Sequence, residues 1–339
     1  LRVCINRIGF GGMISLLDDY PEFVEYVGEL SKQSSAITDL HLEGEAWQAP
    51  ITVGILGFWG RMSSWTYGGP LSHNSMYDNF LEAISGLPVK IRFLSFDEIL
   101  EGGLPHGINV LVNCGREGTS LSGGAYWEKP ELTAAIFTFV NAGGGFIGIG
   151  EPSALVGKPP YRFQLAPMLG VDRDCLLTEG SVRYDQQCVA GHFVTEDLKN
   201  TPLDMINEIA DLKITSANAE IPVSRVVSDC EQFYEHLKPQ LITNTFGSGR
   251  SVYLSGFKYN FDNTRLLSRM LYWVAGKEDE WPKWQTDNPL LECAWFPKSE
   301  KLVVVNNSNH MQTGSVIRED GTAEGIEMSP LGMNIIQSI

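Results

Sequence analysis

The sequence predicts an α/β fold with a mostly parallel sheet, followed by a small all-β domain. Short uncharged apolar runs are the first sign, as in ITVGILGFW from Ile51, which ends in glycine and aromatics, and INVLVNCG from Ile108 and GGFIGIG from Gly144, which end in glycine. Fully buried strands of a parallel sheet read in this way, because both faces are covered. Between the runs lie stretches whose apolar residues recur at helical spacing. Beyond Gly276 the helical pattern stops and only short strands remain.

Each element follows from its own residues. Before Ile51, helical periodicity shows in Phe23, Val24, Val27 and Leu30, with no strand partner in evidence. ITVGILGFW is the first buried strand. SHNSMYDNFLEAIS, Ser72 to Ser85, then places Met76, Phe80, Leu81 and Ile84 on one helical stripe, with Ser72 as N-cap. VKIRFLSF is a strand, a helical turn lies around Asp97 to Leu100, and INVLVNCG is the next strand. Pro130 to Asn141 reads as a helix closed by Gly143, and GGFIGIG as the strand after it. Strands and helices alternating at this spacing imply right-handed crossovers and parallel pairing. Gln240 to Gly276 repeats the logic with QLITNTF, a Gly247-Ser248-Gly249 turn, SVYLSG and the helix DNTRLLSRMLYWVAG. Residues 171–239 carry mixed signals. After the linking stretch KEDEWPKWQTDNP come LECAWF, KLVVVNNS, GSVIRED, GIEMS and MNIIQSI, with turn residues between them.

Composition narrows the function. The chain has 339 residues, enough for two domains, and 43% of them are hydrophobic, too many for a disordered tail. A formal charge of −16, from 25 Lys+Arg against 41 Asp+Glu, argues against nucleic acid or an anionic membrane as partner. Leu132 to Gly150 carries no charge over 19 residues, but Asn141 and the glycines at 143–145 break it into a helix and a strand rather than a membrane span. The six cysteines lie far apart with no CxxC pair, so they read as reduced thiols and favour a cytoplasmic location. The start, LRVCINRIGF, has no signal-peptide pattern and reads as the end of something longer.

The residues that could carry chemistry each have a plainer alternative. Glu151, in GIGEP after a strand, stands where a nucleophile-elbow protein would place Ser or Cys on a strained turn. Glutamate cannot form a thioester, so a structural or pocket-lining role is the plainer reading. Cys114 also follows a strand, beside Arg116, but free cysteines are mostly core residues. His192 lies in an apolar run and reads as structural, and no pair among His41, His73, His236 and His310 has zinc-ligand spacing. Arg7, beside Gly9, Gly11 and Gly12, is a candidate anion ligand at a helix start, although the spacing matches no phosphate-loop fingerprint. Trp59 and Trp65, with Phe58 and Tyr67, occupy a loop after the first sheet strand, on the edge where such sheets bind ligands. They suit sugar faces, and packing against a neighbour explains them equally well. On these residues alone there is no complete catalytic set.

Longer motifs go further. NRIGFGG with SLLDDYPEFVEYV, then ILGFWGRMSSW, FLEAISGLPVKIRFLSFDEI, GGGFIGIGEPSAL and FGSGRSVYLSGFKYNFDNTRLLSRMLYW resemble the 1,3-β-galactosyl-N-acetylhexosamine phosphorylases. That family, glycoside hydrolase family 112, includes the lacto-N-biose and galactosyl-rhamnose phosphorylases. The resemblance runs over nearly the whole chain, including KLVVVNNS. It implies a large N-terminal (β/α)8 barrel, an α/β domain of the class I glutamine-amidotransferase-like type, and a small β domain. On that pattern residues 1–50 are the end of an upstream barrel and a linker, 51–276 the amidotransferase-like domain and 277–339 the β domain.

The resemblance also implies the chemistry. The barrel supplies an Asp that protonates the glycosidic oxygen while inorganic phosphate attacks the anomeric carbon from the opposite face. This single displacement inverts a β-galactoside to α-galactose 1-phosphate, the inverting logic with phosphate in place of water. No segment here matches the catalytic Asp, and Asp18 and Asp19 do not take its role, so no catalytic residue is expected in this chain. The family's α/β domain is understood to lack the cysteine nucleophile, as Glu151 suggests here. No metal or organic cofactor is implied, and a homodimer is expected. Two alternatives stay open: a stand-alone sugar-binding or oligomerisation module, and an amidotransferase-like enzyme using Glu151.

Overall fold

The computed structural model describes residues 20–57, 75–117, 119, 121–155, 163–174, 189–199, 202–209, 211–229, 234–281 and 283–337. The chain forms two compact units, one of Ala49–Trp281 and one of Leu1–Gln48 with Pro282–Ile339.

The larger unit is built on a sheet that has seven strands among the described residues, in the order β2-β1-β3-β4-β9-β8-β7. Strands β1 (Thr52–Gly57), β2 (Lys90–Ser95), β3 (Val110–Gly115), β4 (Gly145–Gly150) and β9 (Gly249–Leu254) run parallel. Strands β7 (Glu220–Asp229) and β8 (Tyr234–Phe246) complete one side as antiparallel neighbours. The short strands β5 (Val171–Arg173) and β6 (Leu212–Ile214) form a separate antiparallel pair.

Helix α2 (Ser75–Ser85) buries Met76, Tyr77, Phe80, Ala83 and Ile84, a stripe at helical period. Leu81, expected on that stripe, is only half-buried. Helix α3 (Phe96–Gly102) starts where the Ser95 hydroxyl accepts the Glu98 N–H at 3.0 Å. Helix α4 (Pro130–Asn141) begins with proline at its first turn, where no N–H is missed. It buries Leu132, Ile136 and Val140. After the one-turn α5 (Ala166–Leu169), helix α6 (Phe261–Val274) is capped by the Asn260 side chain, which accepts the Asn263 N–H at 2.7 Å. Helices α3 and α4 pack on one another, as do α2 and α6. One core cluster joins Leu94, Leu111, Phe146 and Tyr253 of the strands to Phe96, Ile99, Leu132 and Ile136 of α3 and α4.

The strand at Gln240 to Phe246 departs from the parallel expectation. Only Gly247 and Ser248 separate β8 from β9, too few residues for a crossover, so the two strands form an antiparallel hairpin. Gly247 has φ +60°, and a Cβ there would meet the Asn141 carbonyl oxygen at 2.7 Å. The mixed region 171–239 supplies β5, β6, β7 and the start of β8.

The smaller unit holds α1 (Pro21–Glu43) and five short strands: β10 (Leu291–Phe296), β11 (Lys301–Asn306), β12 (Gln312–Ile317), β13 (Ala323–Met328) and β14 (Met333–Gln337). β10, β11 and β14 form one antiparallel sheet and β12–β13 a hairpin. The side chains of Trp284 and Trp295 stack at 4.3 Å with their planes 6° apart, and Leu302, Val304, Val316 and Met328 pack with them. The buried residues of α1 are Ile37 and Leu40, which meet Phe296 and Val303. Phe23 and Val24, read from the sequence as its apolar stripe, are exposed. That face belongs to the first turns of the helix, ahead of the part that meets the strands.

Candidate functional site

Charged side chains meet at the C-terminal ends of β3 and β4. β3 and β4 end side by side, with Gly115 opposite Gly150. The chain turns at Gly150 with φ +76°, where a Cβ would lie 2.8 Å from the Gly115 carbonyl oxygen. Only glycine accepts both conditions. The Glu151 N–H then donates to the Gly115 carbonyl at 2.8 Å, and the side chain turns inward, 2% exposed.

Both oxygens of Glu151 are taken. Oε1 accepts from Arg173 Nη1 at 2.5 Å, and Oε2 accepts the Glu117 backbone N–H at 2.8 Å. Arg116 Nε stands 3.9 Å from Oε2. Arg173 also pairs with Glu117 at 2.9 Å, so two arginines and two glutamates balance in charge. Buried charges persist only when paired and hydrogen-bonded in this manner. Arg173 reaches the site from β5, where Asp172 fixes the strand by accepting the N–H groups of Phe163 and Arg173 at 2.7 and 2.9 Å.

The turn after β3 is held from within. Thr119 and Ser122 hydroxyls donate to the Arg116 carbonyl at 2.8 and 2.5 Å. The Asn113 amide donates to the carbonyls of Ser122 and Pro152, and the Trp127 indole donates to Ser122 as well. Behind Glu151, the Tyr253 hydroxyl donates to the Gly150 carbonyl at 2.7 Å. Burial, with the Glu151 charge beside it, pushes that phenol well above its ordinary value. The arrangement therefore ties three chain segments together around one carboxylate.

The other candidates fall elsewhere. Cys114 lies on β3 with its thiol fully buried, and burial raises it well above the ordinary thiol range, so it is no thiolate nucleophile. His192 caps a 3-10 turn, Phe193–Thr195, its Nδ1 accepting the Val194 N–H at 3.1 Å. Its ring meets Trp273 edge-on at 5.1 Å. Arg7, Trp59 and Trp65 lie outside the described residues, as do Phe58, Tyr67 and the proposed cap Ser72. Sequence reasoning missed Arg173, Glu117 and Tyr253. An Arg-Glu pair directly after a strand was the available signal for Glu117, whereas nothing in GVDRD marks Arg173. Among the described residues no group of three or more His, Cys, Asp and Glu could hold a metal ion, and no helix is long and apolar enough to cross a membrane.

Comparison with known proteins places this site in context. The profile of the lacto-N-biose phosphorylase central domain matches residues 52–279, and that of the C-terminal domain matches residues 284–336. The chain belongs to the lacto-N-biose phosphorylase family. A 1,3-β-galactosyl-N-acetylhexosamine phosphorylase of Bifidobacterium longum subsp. longum is 33% identical over 98% of this chain and 48% of its own length. A D-galactosyl-β-1→4-L-rhamnose phosphorylase of Lachnoclostridium phytofermentans is 31% identical over 93% of this chain and 42% of its own. The chain thus spans about half the length of the curated relatives it matches. Among solved structures, a β-galactosidase from Rahnella sp. R3 aligns with a TM-score of 0.50 and 16% identity, over 91% of this chain and 43% of that one, a likeness of fold alone. The elbow with Glu151 lies within the family's central domain.

Proposed function

We propose that this chain is the central and C-terminal portion of an inverting phosphorylase that cleaves β-galactosides with inorganic phosphate to α-galactose 1-phosphate. The substrate is of the galactosyl-β-1,3-N-acetylhexosamine or galactosyl-rhamnose type. The observation that carries this is the match of relatives with those names across almost the full chain, in which both family domains stand in order. The portion described here is structural within that enzyme. Glu151, the one carboxylate at the elbow position, is saturated by Arg173, Arg116 and a backbone N–H, which suits an anchor and not a proton-transfer group. The α/β unit serves as a scaffold of amidotransferase-like type, next to a (β/α)8 barrel that carries the catalytic Asp and begins ahead of residue 50. A cytoplasmic homodimer that needs no metal or organic cofactor completes the reading.

The test is release of galactose 1-phosphate from galactosyl-β-1,3-N-acetylglucosamine and phosphate. It is run for this chain alone and for the chain with its upstream coding sequence joined. Activity confined to the longer protein is the expected result. Turnover by the chain alone would place a catalytic carboxylate within these residues and overturn the scaffold role.

A further inference from the structure

The surroundings of Glu151 have the composition of an oxyanion site. A guanidinium end-on at 2.5 Å, a backbone N–H at 2.8 Å and a second guanidinium at 3.9 Å converge on two oxygens. Those are the groups with which proteins hold free carboxylates and phosphates. The difference is that the anion is supplied by the chain itself. Its side chain is 3% exposed, while the side chains of Arg173 and Arg116 are 31% and 37% exposed, so the two cations extend from the buried carboxylate to the surface.

We propose that the elbow after β4, where it meets the turn after β3, is a small-oxyanion site, closed by its own occupant, and that Glu151 acts there as a tethered ligand. The cradle is set by parts that do not depend on Glu151. The Arg173 backbone is positioned by β5 and an Asp172 hydrogen bond, its guanidinium keeps the Glu117 carboxylate as a second partner at 2.9 Å, and the Glu117 amide is placed by the turn that Thr119, Ser122 and Asn113 fix. Removing the tether therefore leaves a preorganised anion site whose cations reach the surface. Truncation of glutamate to alanine deletes one methylene and one carboxylate, the atoms of acetate. Free acetate is thus the matched ligand, and in the native chain it cannot compete with a carboxylate fixed in place.

The experiment is thermal unfolding of the native chain, Glu151→Ala and Glu151→Gln in rising sodium acetate, with sodium chloride at equal ionic strength as control. The alanine variant should unfold at lower temperature and regain stability saturably with acetate and not with chloride. A ligand at ten times its dissociation constant raises the folded-to-unfolded ratio about elevenfold. The native chain and the glutamine variant, whose cradles are filled, should show no acetate-specific gain. Adding Arg173→Met to the alanine variant should abolish the recovery. Recovery equal in chloride, no saturable recovery, or recovery that survives loss of Arg173 each overturns the proposal. If the alanine variant does not fold unaided, refolding from urea in acetate against chloride gives the same decision: a folded product in acetate alone supports the site, and none in either salt overturns it.

Discussion

At His192, desolvation holds the imidazole below the ordinary value of 6.5, with Arg250 acting the same way and Glu220 and Glu278 opposing. The unfolded chain thus binds a proton near pH 6.5 that the folded chain refuses. The stability at stake is complete above that range, falls as the pH drops through 6.5, and levels once the folded imidazole titrates too. Asparagine at position 192 keeps an acceptor for the turn and removes the titration. Urea unfolding of His192→Asn at a series of pH values from about 7 to about 5 should show a shallower loss than the native chain; equal slopes would assign the acid sensitivity to other groups. Cys114, buried and with its thiol raised, should resist iodoacetamide in the folded protein at pH 8 and react only on unfolding, as peptide mapping would show. Labelling of the native fold at Cys114 would mean that β3 opens readily.

At the scale of elements, α6 is held by one buried cation. Arg269, 4% exposed, is gripped by Asp197 through two hydrogen bonds of 2.8 Å, by Glu196 at 2.9 Å and by the Phe193 carbonyl at 2.9 Å. Its guanidinium also stacks on the rings of Phe193 and Trp281, 4.7 Å from each centroid. Arg269→Ala removes the main partner of Asp197 and should cost about 2 kcal/mol in chemical denaturation, less than for a fully buried pair because Asp197 is 37% exposed and Arg265 stands 3.9 Å from it. Arg269→Lys should recover little of this, since an ammonium cannot make the paired contact. A loss under 1 kcal/mol for the alanine variant would show that the acidic pair has other support. This knot also marks where sequence reasoning ends. Helix α4 was legible to the residue, from Pro130 to Asn141, because proline, apolar spacing and glycine are local signals. The five strands of the β unit were legible in number and order, with β12 and β13 starting two residues earlier than GSVIRED and GIEMS suggest. Arg269 was not, because its partners lie more than 70 positions away in a segment of mixed pattern. Glu151 was found for its place after a strand, while its ligand Arg173, from β5, carries no local mark.

For the whole molecule, two compact units with separate apolar clusters imply two unfolding events. The stacked pair Trp284–Trp295 gives the smaller unit its own near-ultraviolet signature. Val304→Ala, at a fully buried position of that cluster, should lower the transition followed through the coupled signal of that stacked pair by about 1–3 kcal/mol while leaving the far-ultraviolet transition of the larger unit in place. Coincident shifts in both signals would show a single cooperative molecule.

The smaller unit joins α1 to strands that come after the whole of Ala49–Trp281, and this has a consequence for synthesis. The carboxylate of Glu43, at the end of α1, accepts a hydrogen bond from Ser299, 256 positions later. At roughly 5–20 residues per second, a ribosome reaches that partner about 13–50 s after α1 has been made. The sheet of Ala49–Trp281 is complete before then. During translation Ile37 and Leu40 thus precede Phe296 and Val303, the partners with which they share a core, by the whole length of the larger unit.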